Sequence, residues 1–338
     1  MSNYMQIYRE AVDTLEREYR AVLDTHSSHL YAYFQANGDM LEEVALYRDC
    51  NVCGSERKRP FLKPTPYIFV ECEDCGFRYM DPIIDTNNTS ILTEGITQLR
   101  QTAIKDPKWK KRHQKMTQQV RDILAIKQDG VFLDVGCGLG RHMHLVLPHF
   151  SRVEGIELDS VSRAYCQESG LNVYGEPLED LHLPADTYDV VLLSQVIEHL
   201  VDPKIVCAEI FRILKPGGIL YIDTPNFSSL SMALFRERCS VVVGSSHISL
   251  FSVDTALSLL RTIGFAEMQA RTYQTDLFPL DVLTYIFNRK GFVHRRNIHL
   301  PLYLPFYRVF HEVFDERLFR NLGRRIGSYM RLVVAKPL

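Results

Sequence analysis

Three glycines at alternate positions follow an apolar segment near the middle of the chain. Residues 131–135 read Val-Phe-Leu-Asp-Val, and Gly136, Gly138 and Gly140 follow them. Because glycine has no Cβ atom, the backbone at these positions can turn sharply and approach a ligand to contact distance. The spacing therefore predicts a ligand-binding turn between a strand and a helix. A plain tight turn without a ligand is the alternative.

Two acids near this turn indicate which ligand it binds. Asp134 lies two residues ahead of the first glycine, and Glu157 lies about 20 residues further on, after a second apolar segment. A carboxylate at the first position repels a pyrophosphate but pairs with an ammonium, such as the amino group of S-adenosylmethionine (SAM). A carboxylate at the second position can accept both ribose hydroxyls. The GxGxG spacing and the acids favour SAM over a dinucleotide, whose fingerprint is GxGxxG.

Four cysteines form two Cys-x-x-Cys pairs early in the chain. Cys50 and Cys53 are separated by 18 residues from Cys72 and Cys75, and a glycine follows each pair. Each pair can form a tight turn that points two thiolates at one site, and four thiolates give closed tetrahedral zinc. A reducing cytosol favours metal ligands over disulfides. Since a closed shell has no open position for substrate, we expect structural zinc; four unliganded thiols are the alternative.

Two histidines are candidates for proton transfer. If the bound SAM donates its methyl group, the reaction is an in-line displacement in which the protein mainly positions the nucleophile, and a hydroxyl acceptor also benefits from a general base. Histidine suits that role near neutral pH. His199 follows the apolar segment 190–194, and His247 precedes a predicted helix. The alternatives are a helix-end contact between Glu198 and His199 and an ordinary loop contact for His247.

The elements that must position these residues alternate between strands and helices from about residue 128 onward. Helices are predicted over 203–214, which ends at a Pro-Gly-Gly turn, and over 252–263, with Ser252 as N-cap. Alternation of this kind is typical of a doubly wound α/β fold. We predict a Rossmann-like, seven-stranded, mostly parallel sheet, with residues 225–250 as a loop. The predicted strands are 131–135, 152–157, 173–174, 190–194, 219–224, 265–275 and 329–335.

Several motifs resemble those of class I SAM-dependent methyltransferases. LDVGCGLGR looks like the family's first motif, and VEGIELD looks like the second. YDVVLLSQVIEHLVDP and RILKPGGILYIDTPN are similar to the fourth-strand and fifth-strand motifs of the quinone-precursor and sugar methyltransferase group. The cysteine segment is similar to a zinc ribbon that precedes the catalytic domain in a mostly bacterial subgroup. The resemblance covers residues 128–275 and implies SAM as the cofactor.

The resemblance also implies a role for each matching residue. Where many members carry an acid before the adenine loop, this chain has Pro177, so the adenine contact falls to Glu179, Asp180 or the backbone. Quinone-precursor enzymes of similar sequence use an ExxEH cluster for a divalent metal, and Gln195 replaces the first acid here, which weakens the case for a catalytic metal. The expected cofactor-binding residues are Asp134, Gly136, Cys137, Gly138 and Gly140 at the methionine end, Glu157 and Leu158 at the ribose, Leu178, Glu179 and Asp180 at the adenine, and Gln195 at the lip of the pocket.

The chain divides into four predicted parts. A helical cap covers residues 1–47, the zinc ribbon covers 48–84, a helical linker covers 85–127, and the methyltransferase domain covers 128–338 with an insertion at 276–327. The insertion is apolar and aromatic with interleaved arginines. It fits a lid over the acceptor or a homodimer interface, which we prefer, or a membrane-surface segment.

Composition restricts the partners. The 338 residues are 46% hydrophobic and 24% charged, as in a globular protein. With 39 basic against 41 acidic side chains, no overall field attracts nucleic acid, and we expect none as a partner. The basic stretches 108–115 and 289–296 are interpreted as solvated helix faces. We also expect a cytoplasmic protein without a membrane span, because no apolar stretch reaches roughly 18 residues and the first residues do not resemble a signal peptide.

Taken together, the motifs predict an enzyme that methylates a small molecule, with O-methylation of a sugar or secondary-metabolite hydroxyl preferred. Methylation of carbon or nitrogen is the nearest alternative, because the cofactor-binding half is the same. A second alternative is a modifier of RNA or protein in which the zinc ribbon docks on the macromolecule. A third is a SAM-binding scaffold without activity, against which Asp134, the glycines and Glu157 argue.

Overall fold

The computed structural model describes residues 40–63, 67–84, 104, 117–239, 241–242, 246–273 and 327–338. The predicted N-terminal helices, most of the linker 85–127, both basic stretches and nearly all of the insertion 276–327 lie outside these residues. The division of the chain into four parts therefore stays a prediction.

The cysteine segment forms a small antiparallel sheet. Strands β2, β3 and β4 pair in sequence order, and β1 pairs with β5 beside them. The Cys-x-x-Cys turns lie at the ends of this hairpin arrangement, one before β2 and one between β3 and β4. The strands are β1 (Ala45–Leu46), β2 (Lys58–Leu62), β3 (Phe69–Cys72), β4 (Arg78–Met80) and β5 (Ile83–Ile84).

A seven-stranded sheet positions the candidate site, and it confirms the predicted fold class. The later strands are β6 (Val131–Val135), β7 (Arg152–Ile156), β8 (Asn172–Tyr174), β9 (Tyr188–Ser194), β10 (Leu214–Pro225), β11 (Ser249–Leu250), β12 (Ala266–Tyr273) and β13 (Tyr329–Ala335). All but β11 join the large sheet, in the order β12-β13-β10-β9-β6-β7-β8. Strands β6 to β10 are parallel to one another, and β13 is antiparallel to both β10 and β12.

The central strands are apolar and covered on both faces. The first six residues of β9 are buried, as are the last four of β6, because helices pack on both sides of a parallel sheet. Two strands start earlier than the apolar runs predict. β10 begins at Leu214, where a register shift lets Leu214 pair with Tyr188 across the Pro-Gly-Gly segment, and this pairing also extends β9.

Local capping signals fix the helix ends. Ser252 caps the helix after β11, as the sequence predicts, and Gly264 ends the same helix with φ of 119°. Ser252 also forms a capping box with Thr255. Among the described residues, no helix is long and apolar enough to cross a bilayer. The helices are α1 (Gln118–Ile126), α2 (Arg141–Val146), α3 (Ser160–Glu168), α4 (Pro203–Ile213), α5 (Leu230–Phe235) and α6 (Val253–Ile263).

The prediction of a plain loop over residues 225–250 is wrong. This segment contains α5 and β11, and β11 pairs antiparallel with β4, with Ser249 opposite Tyr79. A two-residue strand has no periodicity of its own, and its partner lies far away in the sequence. The pairing joins the cysteine sheet to the large domain.

The apolar core is continuous across this junction. Phe77 and Tyr79 from the cysteine sheet belong to the same buried cluster as Leu220 of β10 and Leu257 of α6. Phe251 lies between the two parts, with its ring 4.8 Å from that of Phe77. The two modules therefore fold as one packed unit over this face.

Replacing Phe251 by Ala should lower the free energy of unfolding by about 3–5 kcal/mol, because it leaves a cavity between the two modules. Urea unfolding followed by far-UV circular dichroism measures the change. The control is Met268→Ala, whose side chain is exposed (47%) and should cost little. A loss below about 1 kcal/mol for Phe251→Ala would contradict the shared core.

Candidate active site

The glycine turn connects β6 to α2 at the carboxyl edge of the large sheet. Gly136, Gly138 and Gly140 have φ of 72°, 56° and 71°, in the left-handed region that favours glycine. A Cβ atom on Gly136 would lie 2.5 Å from Cγ2 of Val196, which follows β9. The turn therefore requires glycine both for its backbone conformation and for its close contact with the neighbouring loop.

Asp134 is a buried carboxylate next to this turn. It is 1% exposed, and Oδ2 has no hydrogen-bond partner among the described residues; the nearest cation candidate, Nδ1 of His142, is 3.7 Å away. Burial raises the pKa of Asp134. An unpartnered buried carboxylate is costly, and a ligand ammonium would offset that cost. This orphaned oxygen fits the methionine end of SAM.

Glu157 joins the glycine turn to the next strand end. Its Oε2 accepts a hydrogen bond from the backbone N–H of Gly138 at 2.7 Å, and its Oε1 accepts one from Asp159 at 2.9 Å. A carboxylate oxygen can accept more than one hydrogen bond, so these two backbone contacts are compatible with ribose hydroxyls at the same residue. Leu158 beside it is exposed (56%), which leaves an apolar surface for a ligand.

The remaining predicted cofactor residues lie on the same edge or behind it. Leu178, Glu179 and Asp180 form a 3₁₀ turn in which Leu178 is buried and both acids are exposed. Cys137 is buried, and a Cβ atom on Gly155 of β7 would lie 2.9 Å from its Sγ, so its side chain packs behind the turn. The cofactor roles of these residues stay predictions.

Gln195 follows β9 and is held by an acid that the sequence analysis missed. Its Nε2 donates to Oδ1 of Asp223 at 2.9 Å. The Asp223 carboxylate also accepts from the hydroxyl of Tyr273 at 2.9 Å, from Nε of Arg331 at 3.0 Å and from Nε2 of Gln119 at 3.2 Å. Asp223 ends the apolar run of the IDTPN motif, which was the available signal, but its partners come from four separate segments of the chain.

His199 and His247, which the sequence leaves 48 positions apart, lie together. Their ring centroids are 5.0 Å apart. Nδ1 of His199 lies 2.8 Å from the carbonyl oxygen of Ser246, and Nδ1 of His247 lies 2.8 Å from that of Val241. Because a carbonyl oxygen only accepts, Nδ1 carries the hydrogen in both rings. In the neutral rings, Nε2 is therefore the unprotonated nitrogen that carries the lone pair.

Glu198 completes this cluster. Its Oε2 accepts from the Thr224 hydroxyl at 2.8 Å, whereas Oε1 has no hydrogen-bond partner among the described residues and lies 3.9 Å from Nε2 of His199. Burial raises the pKa of Glu198 to about 7. Burial, together with the nearby His199, lowers the pKa of His247 to about 4. The cluster therefore combines groups that can accept, hold or release a proton near neutral pH.

The same cluster could hold a divalent cation. One ligand atom each from Glu198, His199 and His247 lies within 4.8 Å of the others. Histidines that bind metals commonly donate their other ring N–H to a carbonyl, as both do here. The geometry is thus compatible with general-base chemistry and with cation-assisted chemistry at one place.

The four cysteines meet at one point of the small sheet. Sγ of Cys50 lies 3.5 Å from Sγ of Cys75, Sγ of Cys53 lies 3.5 Å from Sγ of Cys72, and all four lie within 4.8 Å of one another. Zinc–sulfur bonds of about 2.3 Å in a tetrahedron place sulfurs about 3.8 Å apart. The cluster therefore fits one zinc ion with no further ligand.

Comparisons with known proteins show which proteins this chain is similar to. Residues 109–270 match a family model described as a methyltransferase domain. A ubiquinone biosynthesis O-methyltransferase of Escherichia coli is 30% identical over 165 residues, which cover 46% of this chain and 66% of that protein. The same enzyme of Erwinia tasmaniensis is 30% identical over 138 residues, 38% of this chain and 54% of that protein. The solved structure of a SAM-dependent methyltransferase from Archaeoglobus fulgidus aligns with a TM-score of 0.44 and 20% identity, covering 64% of this chain and 90% of that one.

The family match and the seven-stranded sheet with its glycine turn define the class of protein. This chain carries a class I SAM-dependent methyltransferase domain. The matched region spans about half to two thirds of the length of the curated relatives.

At pH 7, His247 is expected to be neutral with its hydrogen on Nδ1. Because the pKa is lowered from 6.5 to about 4, its protonated fraction should rise only as the pH falls well below 6. Long-range ¹⁵N–¹H spectra of histidine-labelled protein report both the tautomer and the midpoint, and His247→Gln assigns the signal. A midpoint at or above 6.5, or a hydrogen on Nε2, would contradict the described environment.

The purified protein should contain about one equivalent of zinc, with the four thiols protected from thiol reagents until a chelator is added. Cys72→Ser should lose the metal. Cys207→Ala removes a buried thiol outside the cluster and should retain it. Less than about half an equivalent, with four titratable thiols, would exclude the zinc assignment.

Proposed function

We propose that this protein is an enzyme that transfers a methyl group from SAM to a hydroxyl of a small molecule. The observation that carries the proposal is that one ligand atom each of Glu198, His199 and His247 lies within 4.8 Å of the others. They lie at the same edge of the sheet as the Asp134 oxygen that has no hydrogen-bond partner among the described residues. A hydroxyl acceptor needs a proton acceptor at this place, and the cluster supplies one.

The roles of the residues follow from their positions. SAM, when bound, supplies a methyl group on a sulfonium that is open to in-line attack. Asp134 would pair with the ammonium of SAM, and Glu157 would accept the ribose hydroxyls. As the acceptor oxygen bonds to the methyl carbon and the carbon–sulfur bond breaks, Nε2 of His247 or His199 takes the hydroxyl proton. Both rings are oriented for this by backbone carbonyls.

Two observations support a small-molecule hydroxyl over the alternatives. The names of the Escherichia coli and Erwinia relatives specify O-methylation in ubiquinone biosynthesis. One face of the cysteine sheet is buried against the large domain, which reduces the surface left for docking RNA or protein.

We propose a structural role for zinc. A cytoplasmic location and a homodimer stay predictions.

Asp134→Asn should weaken SAM binding by at least about tenfold, because the amide keeps the shape but loses the charge that pairs with the ammonium. Isothermal titration calorimetry with SAM measures the effect. The matched control is Asp186→Asn, which changes a surface acid paired with Lys336 and should keep the affinity. Equal affinity for both variants would remove Asp134 from the cofactor site.

His247→Ala should lower turnover by about 10²–10⁴-fold while leaving the SAM affinity intact, if Nε2 accepts the proton. A panel of hydroxyl, amine and carbon acceptors with methyl-labelled SAM identifies a substrate for the assay. His149→Ala, at an exposed position outside the cluster, is the control. Turnover within twofold of the parent would exclude His247 as the base.

The cation alternative is tested in the same assay. Activity abolished by mild chelation and restored by a divalent cation, with the cysteine-bound zinc retained, would assign the Glu198, His199 and His247 cluster to a metal instead of a base.

A further inference from the structure

The cysteine sheet is bonded to the segment that carries His247. Strand β11 starts two residues after His247 and pairs with β4, and the backbone N–H of Met80 donates to the carbonyl of Ile248 at 2.9 Å. β4 itself starts three residues after Cys75, the last of the four cysteines. The position of the histidine segment is therefore set in part by a strand that the cysteine cluster anchors.

Arg48, two residues before Cys50, links three segments at this junction. Its Nη1 donates to the carbonyl of Val201 at 2.7 Å, its Nη2 to Ile248 at 3.0 Å and its Nε to Met80 at 3.2 Å. The planar guanidinium can satisfy three carbonyls in fixed directions, which an ammonium cannot.

The segments that Arg48 joins are those that carry the two histidines. Val201 lies two residues after His199, and Ile248 lies one residue after His247. The same segments are also bonded to each other: the N–H of Ile248 donates to the carbonyl of Glu198 at 2.9 Å, and the Ser249 hydroxyl donates to that of Leu200 at 3.0 Å.

The cysteine turn contributes a second contact to the same place. Nδ2 of Asn51, inside the first Cys-x-x-Cys turn, also donates to the carbonyl of Val201. Arg48 is in turn fixed on its own side, because its backbone N–H donates to Oδ1 of Asp81 at 2.9 Å. Contacts therefore run from the cysteine cluster to the histidine pair through side chains and backbone alone.

We propose that the four-cysteine module is a positioning element of the acceptor site, and that Arg48 is the positioning residue that holds the His199 and His247 segments in register. The proposal rests on the proposed function only for its catalytic consequence. Zinc at the cysteines would fix Arg48 and β4, and these fix the two segments. Arg48 donates to backbone carbonyls of these segments, so it acts on the histidines through the backbone that carries them.

The experiment compares Arg48→Met, Arg48→Lys and the control Arg57→Met in the full chain. Arg57 belongs to the same module, but its side chain is exposed (68%) and pairs with Asp74. For Arg48→Met, hydrogen exchange in residues 198–201 and 246–250 should be at least about tenfold faster, while zinc content and SAM affinity remain those of the parent. The ¹⁵N spectrum should show that His247 no longer carries its hydrogen on Nδ1 alone. Arg48→Lys should restore part of the protection, and Arg57→Met should change nothing.

Chelation of zinc from the parent protein should produce the same local increase in exchange and the same change in the His247 signal. This arm decides the proposal if Arg48→Met does not fold. Unchanged exchange in both segments, either in folded Arg48→Met or after zinc removal, would overturn it. A third outcome separates the two claims. If hydrogen exchange and the His247 tautomer change as expected but His247→Ala remains fully active, the proposed function is overturned and the positioning role of Arg48 remains.

Discussion

The parallel pairing of β6 with β9 determines where the glycine turn and the segment with Glu198 and His199 lie relative to each other. Val135 is opposite Leu193, so the glycine turn after one strand and the segment after the other leave the sheet side by side. This adjacency explains why Gly136 must be glycine, since Val196 occupies the space beside it. It also places Asp134, which a cofactor ammonium can neutralise, next to the loop that leads to Glu198 and His199. In open α/β sheets generally, ligands bind beside the carboxyl ends of the strands, where such loops leave the sheet together.

Buried charge is the second constraint on the site. Asp134 and Glu198 each have one carboxylate oxygen without a hydrogen-bond partner among the described residues, and burial raises the pKa of both. Such groups are unfavourable for folding by themselves and are retained where a ligand or a proton completes them. The buried carboxylate of Asp223, in contrast, has its hydrogen bonds supplied by the protein, from Arg331, Tyr273 and two side-chain amides. Two acids are therefore available for chemistry, and the third holds the edge of the sheet together.

The sequence predicts those parts of the structure that depend on local pattern. Apolar runs and glycine spacing locate the sheet strands, and Ser252 and Gly264 mark the ends of α6. Strand β11 was missed because its two residues acquire strand geometry only from pairing with β4. The Asp223 network was missed because its partners lie at residues 119, 195, 273 and 331. The histidines were named as candidates from the sequence, but their common location and their tautomers depend on carbonyls of Ser246 and Val241 that only the fold brings into contact.

The most direct test of the account is a crystal structure of the full chain with S-adenosylhomocysteine, the product of methyl transfer. The account predicts the ligand ammonium within about 3.2 Å of Oδ2 of Asp134, the ribose hydroxyls at Glu157, and the sulfur directed toward the His199 and His247 edge. A ligand bound away from the glycine turn, or one whose sulfur is directed away from the two histidines, would contradict it.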